Sequence, residues 1–318
     1  MDEKKKYLVI FDSNAVIHRA FHALPPLTAK NGEVVGAVYG FLLVFLKVLK
    51  EFKPEFVVAA FDLPFPTFRH KKYKEYKAKR PPTPESLYLQ IPKVKEFMKT
   101  FNIPIFEKEG FEADDVIGTI AKQTSENHSV SGIETIIVSG DLDTLQLVDS
   151  NTKIYNLRKG VKDTVLYDEP MIKEKYGLTP KQILDYKALR GDPSDNIPGV
   201  TGVGEKTAID LIKEFDNIEN LYQEVEQNSE KAKGIKSGTR EKLIKYKGQA
   251  FLSKELAEIN TAVPIDYNVE DCRWQDFNRK KAVDILEEFG FKSLLDKLPG
   301  SETQKQTSKQ ADLFGGTG

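Results

Sequence analysis

Four short apolar runs of this chain each hand over to carboxylates. "LVIFD" ends in Asp12, "VVAAFD" in Asp62, and "IIVSGDLD" in Asp141 and Asp143. "IPIF" leads through a short loop to "EADD", with Glu112, Asp114 and Asp115, and two further acids, Asp192 and Asp195, stand in "GDPSDN". Acids at a helix start are commonplace because the helix dipole favours them, and for "EADD" alone a capping or solvated role is the better reading. Four strand ends delivering carboxylates to one edge are hard to obtain that way. So many acids cannot ionise side by side in a pocket unless cations neutralise them. All-oxygen donors select hard ions: Mg²⁺, Mn²⁺ or Ca²⁺. The set leaves room for two ions about 3.5–4 Å apart, an arrangement suited to phosphodiester hydrolysis. No Ser/His/Asp or Cys/His arrangement competes for the chemistry. Cys272 is the sole cysteine and the four histidines are scattered, so thiolate zinc sites and internal disulfides are excluded.

The elements that must position these acids are legible as alternating strands and helices. Residues 7–11, 56–61, 103–106 and 135–140 are short and rich in Val, Ile and Phe, as buried parallel strands are. Amphipathic stretches at 36–52 and 85–101 lie between them. This predicts an α/β fold with a mainly parallel sheet and a ligand crevice at the carboxyl ends of the strands. From about residue 180 the strand signal fades, and short helices broken by Gly and Pro predict a smaller helical domain. Net charge is −1 with 30% charged residues, and no apolar run approaches a membrane span. The "MDEKKK" start has no signal-peptide apolar region behind it, and a reducing cytosol is the expected home.

Charge is unevenly spread. Residues 69–80, "RHKKYKEYKAKR", hold seven Lys or Arg against one Glu. Most such runs are solvated faces. Here the run follows a strand that ends in a ligand candidate, which suggests a mobile cover whose cations draw a single strand and whose tyrosines, Tyr73 and Tyr76, stack on bases. Arg19 and His22 lie near the same mouth, and for His22 a core role and a phosphate contact stand level. "PGVTGVGEKTA" (198–208) fails as a phosphate loop, because Glu205 separates Gly204 from Lys206 and Thr207. It reads instead as a hairpin between helices, with Gly202 and Gly204 allowing close approach. The next helix then aims its N-terminus at a nucleic-acid phosphate; the competing reading is a plain helix connection without a ligand.

Taken together, "HRAFHALPPLT", "GAVYGF", "FRHKKYKEYKAKRPPTP", "EADDVIGTIA", "GDLDTLQLV" and "GDPSDNIPGVTGVGEKTA" resemble the 5′ nuclease domain of bacterial DNA polymerase I and its stand-alone relatives in the flap endonuclease superfamily, over about 7–298. The resemblance implies a PIN-like nuclease core at 1–178 with a helical arch at about 66–90. It also implies a helix–three-turn–helix (helix-hairpin-helix) DNA-binding domain at 179–298 and a tail at 299–318. It implies 5′→3′ exonuclease and 5′-flap endonuclease activity on DNA and RNA primers during Okazaki fragment maturation and repair. It further implies two Mg²⁺ ions, replaceable by Mn²⁺, serving the reaction, often with K⁺ at the hairpin. The family's metal acids fall on Asp12, Asp62, Glu112, Asp114, Asp115, Asp141, Asp143, Asp192 and Asp195, with Asp12 and Asp115 also counted as catalytic. Lys77 and Arg80 become the phosphate-positioning arch cations and Tyr76 the stacking tyrosine. Arg19, His22, Arg69, Gly202, Gly204, Lys206 and Thr207 complete the expected DNA contacts. Ser13 and Leu142 depart from the family's frequent Gly and Lys without removing a ligand. A non-catalytic binder of branched DNA with the same fold is the alternative, and it predicts missing acids. No polymerase sequence follows, so the expectation is a stand-alone nuclease or an excised domain, monomeric, cytoplasmic and nucleoid-associated.

The polar stretch 299–310 is expected to be disordered. After it, "QADLF" resembles the peptide by which bacterial replication proteins dock on the sliding clamp, through Gln310, Leu313 and Phe314. Clamp docking and an incidental tail are both open.

Overall fold

The computed structural model describes residues 5–127 and 132–300. Six strands form one sheet: β1 (Lys6–Asp12), β2 (Phe56–Ala60), β3 (Ile105–Phe106), β4 (Ile133–Ser139), β5 (Thr152–Lys159) and β6 (Asp163–Tyr167). Their order is β3-β2-β1-β4-β5-β6, all parallel except the β5–β6 hairpin. The four expected strands are present. β5 and β6 were not singled out in the sequence.

Side chains alternate across this sheet, so it is covered on both faces. Val9 and Phe11 of β1, with Ile136 and Val138 of β4, face α1 (Ser13–Ala23) and α2 (Gly36–Phe52). The next layer on that side begins after α3 (Phe68–Lys72) and α4 (Glu85–Tyr88), with α5 (Ile91–Thr100). Leu8, Ile10 and Ile137 face the opposite way, onto α6 (Ala113–Glu126). The expected amphipathic stretch 85–101 is divided into α4 and α5 near Pro92, which takes the first turn of α5, and the side chain of the buried Gln90 turns away from the helix. Gln90 Oε1 instead accepts from the Ala37 and Val38 N–H groups at 2.8 and 3.3 Å, satisfying the start of α2.

Helices α7 (Glu169–Tyr176), α8 (Pro180–Arg190), α9 (Glu205–Phe215), α10 (Ile218–Glu226), α11 (Glu230–Lys233), α12 (Ser237–Lys245) and α13 (Lys247–Ala257) form the helical part. Its apolar side chains, Leu189, Leu211, Phe215 and Leu221 among them, join the core beneath α6. Beyond Val269 the chain returns to the sheet side. Trp274 N–H donates to the Glu55 carbonyl at 2.9 Å and Asn278 N–H to the Thr100 carbonyl at 3.2 Å. Ala282 and Leu286 of α14 (Arg279–Glu288) and Leu294 of α15 (Lys292–Leu295) then pack into the α2–α5 layer. The last two helices of the expected unit 179–298 thus pack on the sheet-side core.

Close backbone approach falls at Gly191 and Gly199 rather than at Gly202 and Gly204. Gly199 has φ +62°, and a Cβ there would lie 2.2 Å from the Gly191 nitrogen. Around Gly204 there is open space, and at Gly202 only the flexible Lys242 side chain is near. The glycine pair closes the loop that carries Asp192 and Asp195, bridged by Asp192 and Ile197. Gly199→Ala adds a left-handed alanine to a backbone collision and is expected to destabilise by about 3 kcal/mol or more. A urea unfolding midpoint that moves by less than 1 kcal/mol equivalent (~1 kcal/mol) would contradict this geometry.

Candidate metal centre and nucleic-acid interface

The strand order reverses direction between β1 and β4, which is where open α/β sheets place their ligands. A cleft of about 360 Å³ opens there, lined by Asp12, Asp62, Glu112, Asp114, Asp141, Asp143 and Asp195, and faced by Lys77 and Arg80. Asp12 caps α1 by accepting from Ala15 N–H at 3.1 Å, and its other oxygen accepts from Ser139 Oγ. Asp62 follows β2, with its backbone N–H on Asn14 Oδ1 at 3.2 Å and its carboxylate accepting from Ala113 N–H at 2.8 Å. Asp141 and Asp143 are locked in a turn after β4, where Asp143 N–H donates to Asp141 Oδ1 at 2.9 Å. Strand termini and helix starts thus place most of the carboxylates, and the glycine-closed loop between α8 and α9 adds Asp195.

Burial and mutual repulsion act together on these groups. Burial pushes Asp12 up to about 7, with Asp62 and Asp141 adding to the rise. Asp143 rises likewise to about 7, through burial and then Asp141, against the opposing pull of Lys187. Burial and then Asp12, Asp141 and Asp62 lift Asp114 well above the usual carboxylate range. Asp62 is also raised, chiefly by burial. A pocket that resists its own ionisation is one that added positive charge stabilises.

Side-chain cations supply part of that charge. Lys77 Nζ lies 2.8 Å from Glu112 Oε1 and 3.8 Å from Asp195 Oδ2. Burial opposes its charge, but Glu112 and Asp195 outweigh it and raise the ammonium. Arg80 pairs with Asp195 and reaches the Ser194 carbonyl at 3.3 Å. Lys187 of α8, unforeseen from the sequence, donates to both Asp143 and Asp192, and burial notwithstanding, it helps hold Asp192 down to about 2. Asp192 thereby stands behind the cleft wall, tied to Asp143 through Lys187. Among the described residues no three acids are already drawn up as a closed coordination shell. The donor set nevertheless fits hard divalent ions: exclusively carboxylate oxygens, from several rigid elements, with the proton affinities of Asp12, Asp62, Asp114 and Asp143 lifted.

Four expectations need correction. Asp115 is fully buried and both its oxygens are used: Arg69 donates to each at 2.7 Å, Glu112 N–H donates at 3.0 Å and Asn260 N–H at 2.8 Å. With four donors on two oxygens it supports the acid cluster from inside instead of offering a free ligand. Arg69 borders the cleft but is only 2% exposed, and its N–H groups are spent on Asp115 and on the Leu256 and Glu258 carbonyls, which leaves little of it for DNA. Tyr76, 3% exposed, is no stacking platform: its hydroxyl lies 3.1 Å from both Glu112 Oε2 and Asp195 Oδ2 and shares its one proton between them, and its ring meets His70 edge-on. The segment 66–90 is accordingly two short helices, α3 and α4, joined by turns, with Tyr73 and Tyr76 packed against Leu184, Ile197 and Leu256, and not a continuous helical arch.

Arg19 and His22 do line the cleft, Arg19 held by the Gly140 carbonyl at 2.9 Å. His18 and Asn14 join them there and were missed. Both lie on α1 behind Asp12, one or two residues from positions already singled out, so helical phase alone was the available signal. Gly202, Gly204, Lys206 and Thr207 lie apart from the cleft, at the exposed start of α9, where the Gly202 carbonyl accepts from Lys242 Nζ at 3.2 Å. Gln310, Leu313 and Phe314 lie outside the described residues.

An acid-lined cleft at the switch point of a mainly parallel sheet, with a helical domain beside it, is the architecture of the 5′ nucleases. A solved T5 5′-exonuclease carrying zinc ions superposes with a TM-score of 0.65 at 22% identity, covering 89% of this chain and 99% of that one. The catalytic core of Rad2 with a DNA substrate gives 0.58 at 21% identity, covering 90% and 87%. Residues 7–177 match the profile of the 5′-3′ exonuclease N-terminal resolvase-like domain, and 178–280 that of its C-terminal SAM fold. The chain belongs to the 5′-3′ exonuclease family. DNA polymerase I of Bacillus subtilis is 45% identical over 298 residues, and that of Caldicellulosiruptor bescii 45% over 297. The matches take in 94% and 93% of this chain, which spans about a third of those relatives' length (33% and 34%).

Proposed function

We propose that the chain hydrolyses phosphodiester bonds at 5′ ends and 5′ flaps of DNA, and at RNA primer ends, in Okazaki fragment maturation and repair. The observation that carries this reading is the single cleft in which acids from β1, β2, β4 and α6 face Lys77 and Arg80. Two Mg²⁺ ions, or Mn²⁺ in their place, would be held by Asp12, Asp62, Glu112, Asp114, Asp141 and Asp143, with Asp195 beside them in the cleft and the Lys187-linked Asp192 behind its wall. Bound there, such ions supply an activated water and neutralise charge at the scissile phosphate.

The chain's own residues do the positioning. Lys77 and Arg80, exchanging Glu112 and Asp195 for phosphate oxygens, hold the strand against the acids. Arg19 stands at the mouth for a further phosphate. The start of α9, with Gly202, Gly204, Lys206 and Thr207, grips a duplex backbone without reading bases, with K⁺ as an added cation at the hairpin. The protein acts as a cytoplasmic, nucleoid-associated monomer in this reading.

A 5′-flap substrate incubated with Mg²⁺ is cut, and EDTA stops the cutting. Cleavage that continues in EDTA would end the metal reading. Flaps left intact at Mg²⁺ concentrations that support binding would favour a non-catalytic binder. For the tail, truncation after residue 305 is expected to abolish binding to a bacterial sliding clamp while flap cutting continues. Unaltered clamp affinity would refute a role for Gln310, Leu313 and Phe314.

A further inference from the structure

Arg69 belongs to the basic segment by sequence, yet its guanidinium points into the molecule and joins three stretches of chain. Nη1 and Nη2 take the two oxygens of Asp115 at 2.7 Å each, Nη2 also donates to the Glu258 carbonyl at 2.7 Å, and Nε donates to the Leu256 carbonyl at 2.9 Å. Glu112 Oε2 lies 3.5 Å from Nη1, and the Phe68 ring lies 4.5 Å beneath the guanidinium. Asp115 passes the constraint on. It accepts from the Glu112 N–H at the first turn of α6 and from the Asn260 N–H just beyond α13. Burying an ion pair is costly unless its remaining donors and acceptors are all used. Here Arg69 makes four hydrogen bonds and Asp115 accepts four, through a fork that a lysine cannot reproduce.

The far end of this connection is itself anchored. Ser253, within α13, accepts from the Gly199 N–H at 2.9 Å, so the helix that supplies the Leu256 carbonyl is fixed to the loop carrying Asp192 and Asp195. The first turn of α6, which bears Glu112 and Asp114, is thus held from the helical domain through one guanidinium.

We propose that Arg69 is a positioning residue for the metal centre: by clamping Asp115 to the backbone at 256–260, it sets where Glu112 and Asp114 stand and thereby how tightly divalent ions bind. This rests on the metal reading of the cleft.

The test is Mn²⁺ binding to the full chain, followed by electron paramagnetic resonance, for the parent and Arg69→Lys, which keeps the charge and loses the fork. Mn²⁺ affinity is expected to fall roughly 10- to 100-fold, the range for residues that orient metal ligands. Affinity for a flapped duplex in EDTA should stay within about twofold of the parent, since a positioning role does not touch DNA. If Arg69→Lys does not fold, the neutral pair Arg69→Gln/Asp115→Asn, which leaves no buried charge, is expected to show the same loss. Mn²⁺ affinity within twofold (~2) of the parent overturns the proposal, as does an equal fall in duplex affinity, which would mean general loosening. A parent chain that binds no Mn²⁺ would instead refute the metal reading itself.

Discussion

Asp12→Asn is expected to lower flap cutting at saturating Mg²⁺ by about a thousandfold or more, while making the protein harder to unfold in EDTA at pH 8. The loss follows from position. Asp12 ends the strand at the sheet's switch point, 3% exposed, and removing its charge removes one of the oxygens best placed to hold an ion. Several kcal/mol of charge stabilisation at the phosphate corresponds to about three powers of ten in rate. The gain in stability has the opposite origin. Burial raises the Asp12 carboxyl to about 7 from an ordinary value of 3.8, so the folded chain holds a proton there that the unfolded chain has released. Stability from this group is therefore lost as pH rises from about 4 to about 7, and at pH 8 the full cost of a buried charge is present. Asparagine carries no such charge and can still cap α1. Urea midpoints in EDTA at pH 5 and pH 8 read the effect: parent and variant should differ more at the higher pH. A variant equally active, or one less stable at pH 8, would show that Asp12 is not a strained member of the acid cluster.

What the sequence disclosed, and what it concealed, follows from the range of the forces involved. An apolar run that stops at an aspartate is a local pattern, so the strand ends and their acids were readable, including Asp12, Asp62 and Asp141. Asp114 and Asp115 are neighbours with the same chemistry, and only tertiary structure separates them. Helical phase turns one toward the cleft and the other toward Arg69, which comes from 46 positions earlier. The same holds for Arg69 and Tyr76. A sequence shows charge and aromaticity but not direction, and the acids that turn these two inward lie far along the chain. Gly199 was visible as a glycine, but its collision partner Gly191 was not. Lys187 did leave a signal, a cation five residues before Asp192 on the helix that feeds the acidic loop. The return of residues 269–298 to the sheet left none, because its apolar helix faces are equally suited to either layer.

Lys77→Met should separate two quantities that usually move together. The Lys77 ammonium occupies Glu112 and approaches Asp195, both cleft acids, so it competes for the oxygens that divalent ions require. Its backbone is committed to the site as well. Lys77 adopts φ +56°, and its N–H donates to the Asp195 carbonyl at 2.8 Å, an arrangement that a residue outside glycine keeps only when its surroundings enforce it. Methionine keeps that backbone and the length of the side chain while removing the charge. A unit charge about 5 Å away at an effective dielectric near 20 repels a divalent ion by about 6–7 kcal/mol before screening. Solvent and salt leave about 1 kcal/mol of that in an open cleft, so Mn²⁺ binding in the absence of DNA should tighten by several-fold to about tenfold. The rate of flap cutting with metal and DNA both saturating should nevertheless fall about 100- to 1000-fold, because the donor that meets charge on the transferring phosphate is gone. If the ammonium served only to hold the acids together, both affinity and rate would drop. Tighter metal with slower cutting is the outcome that places Lys77 on the phosphate.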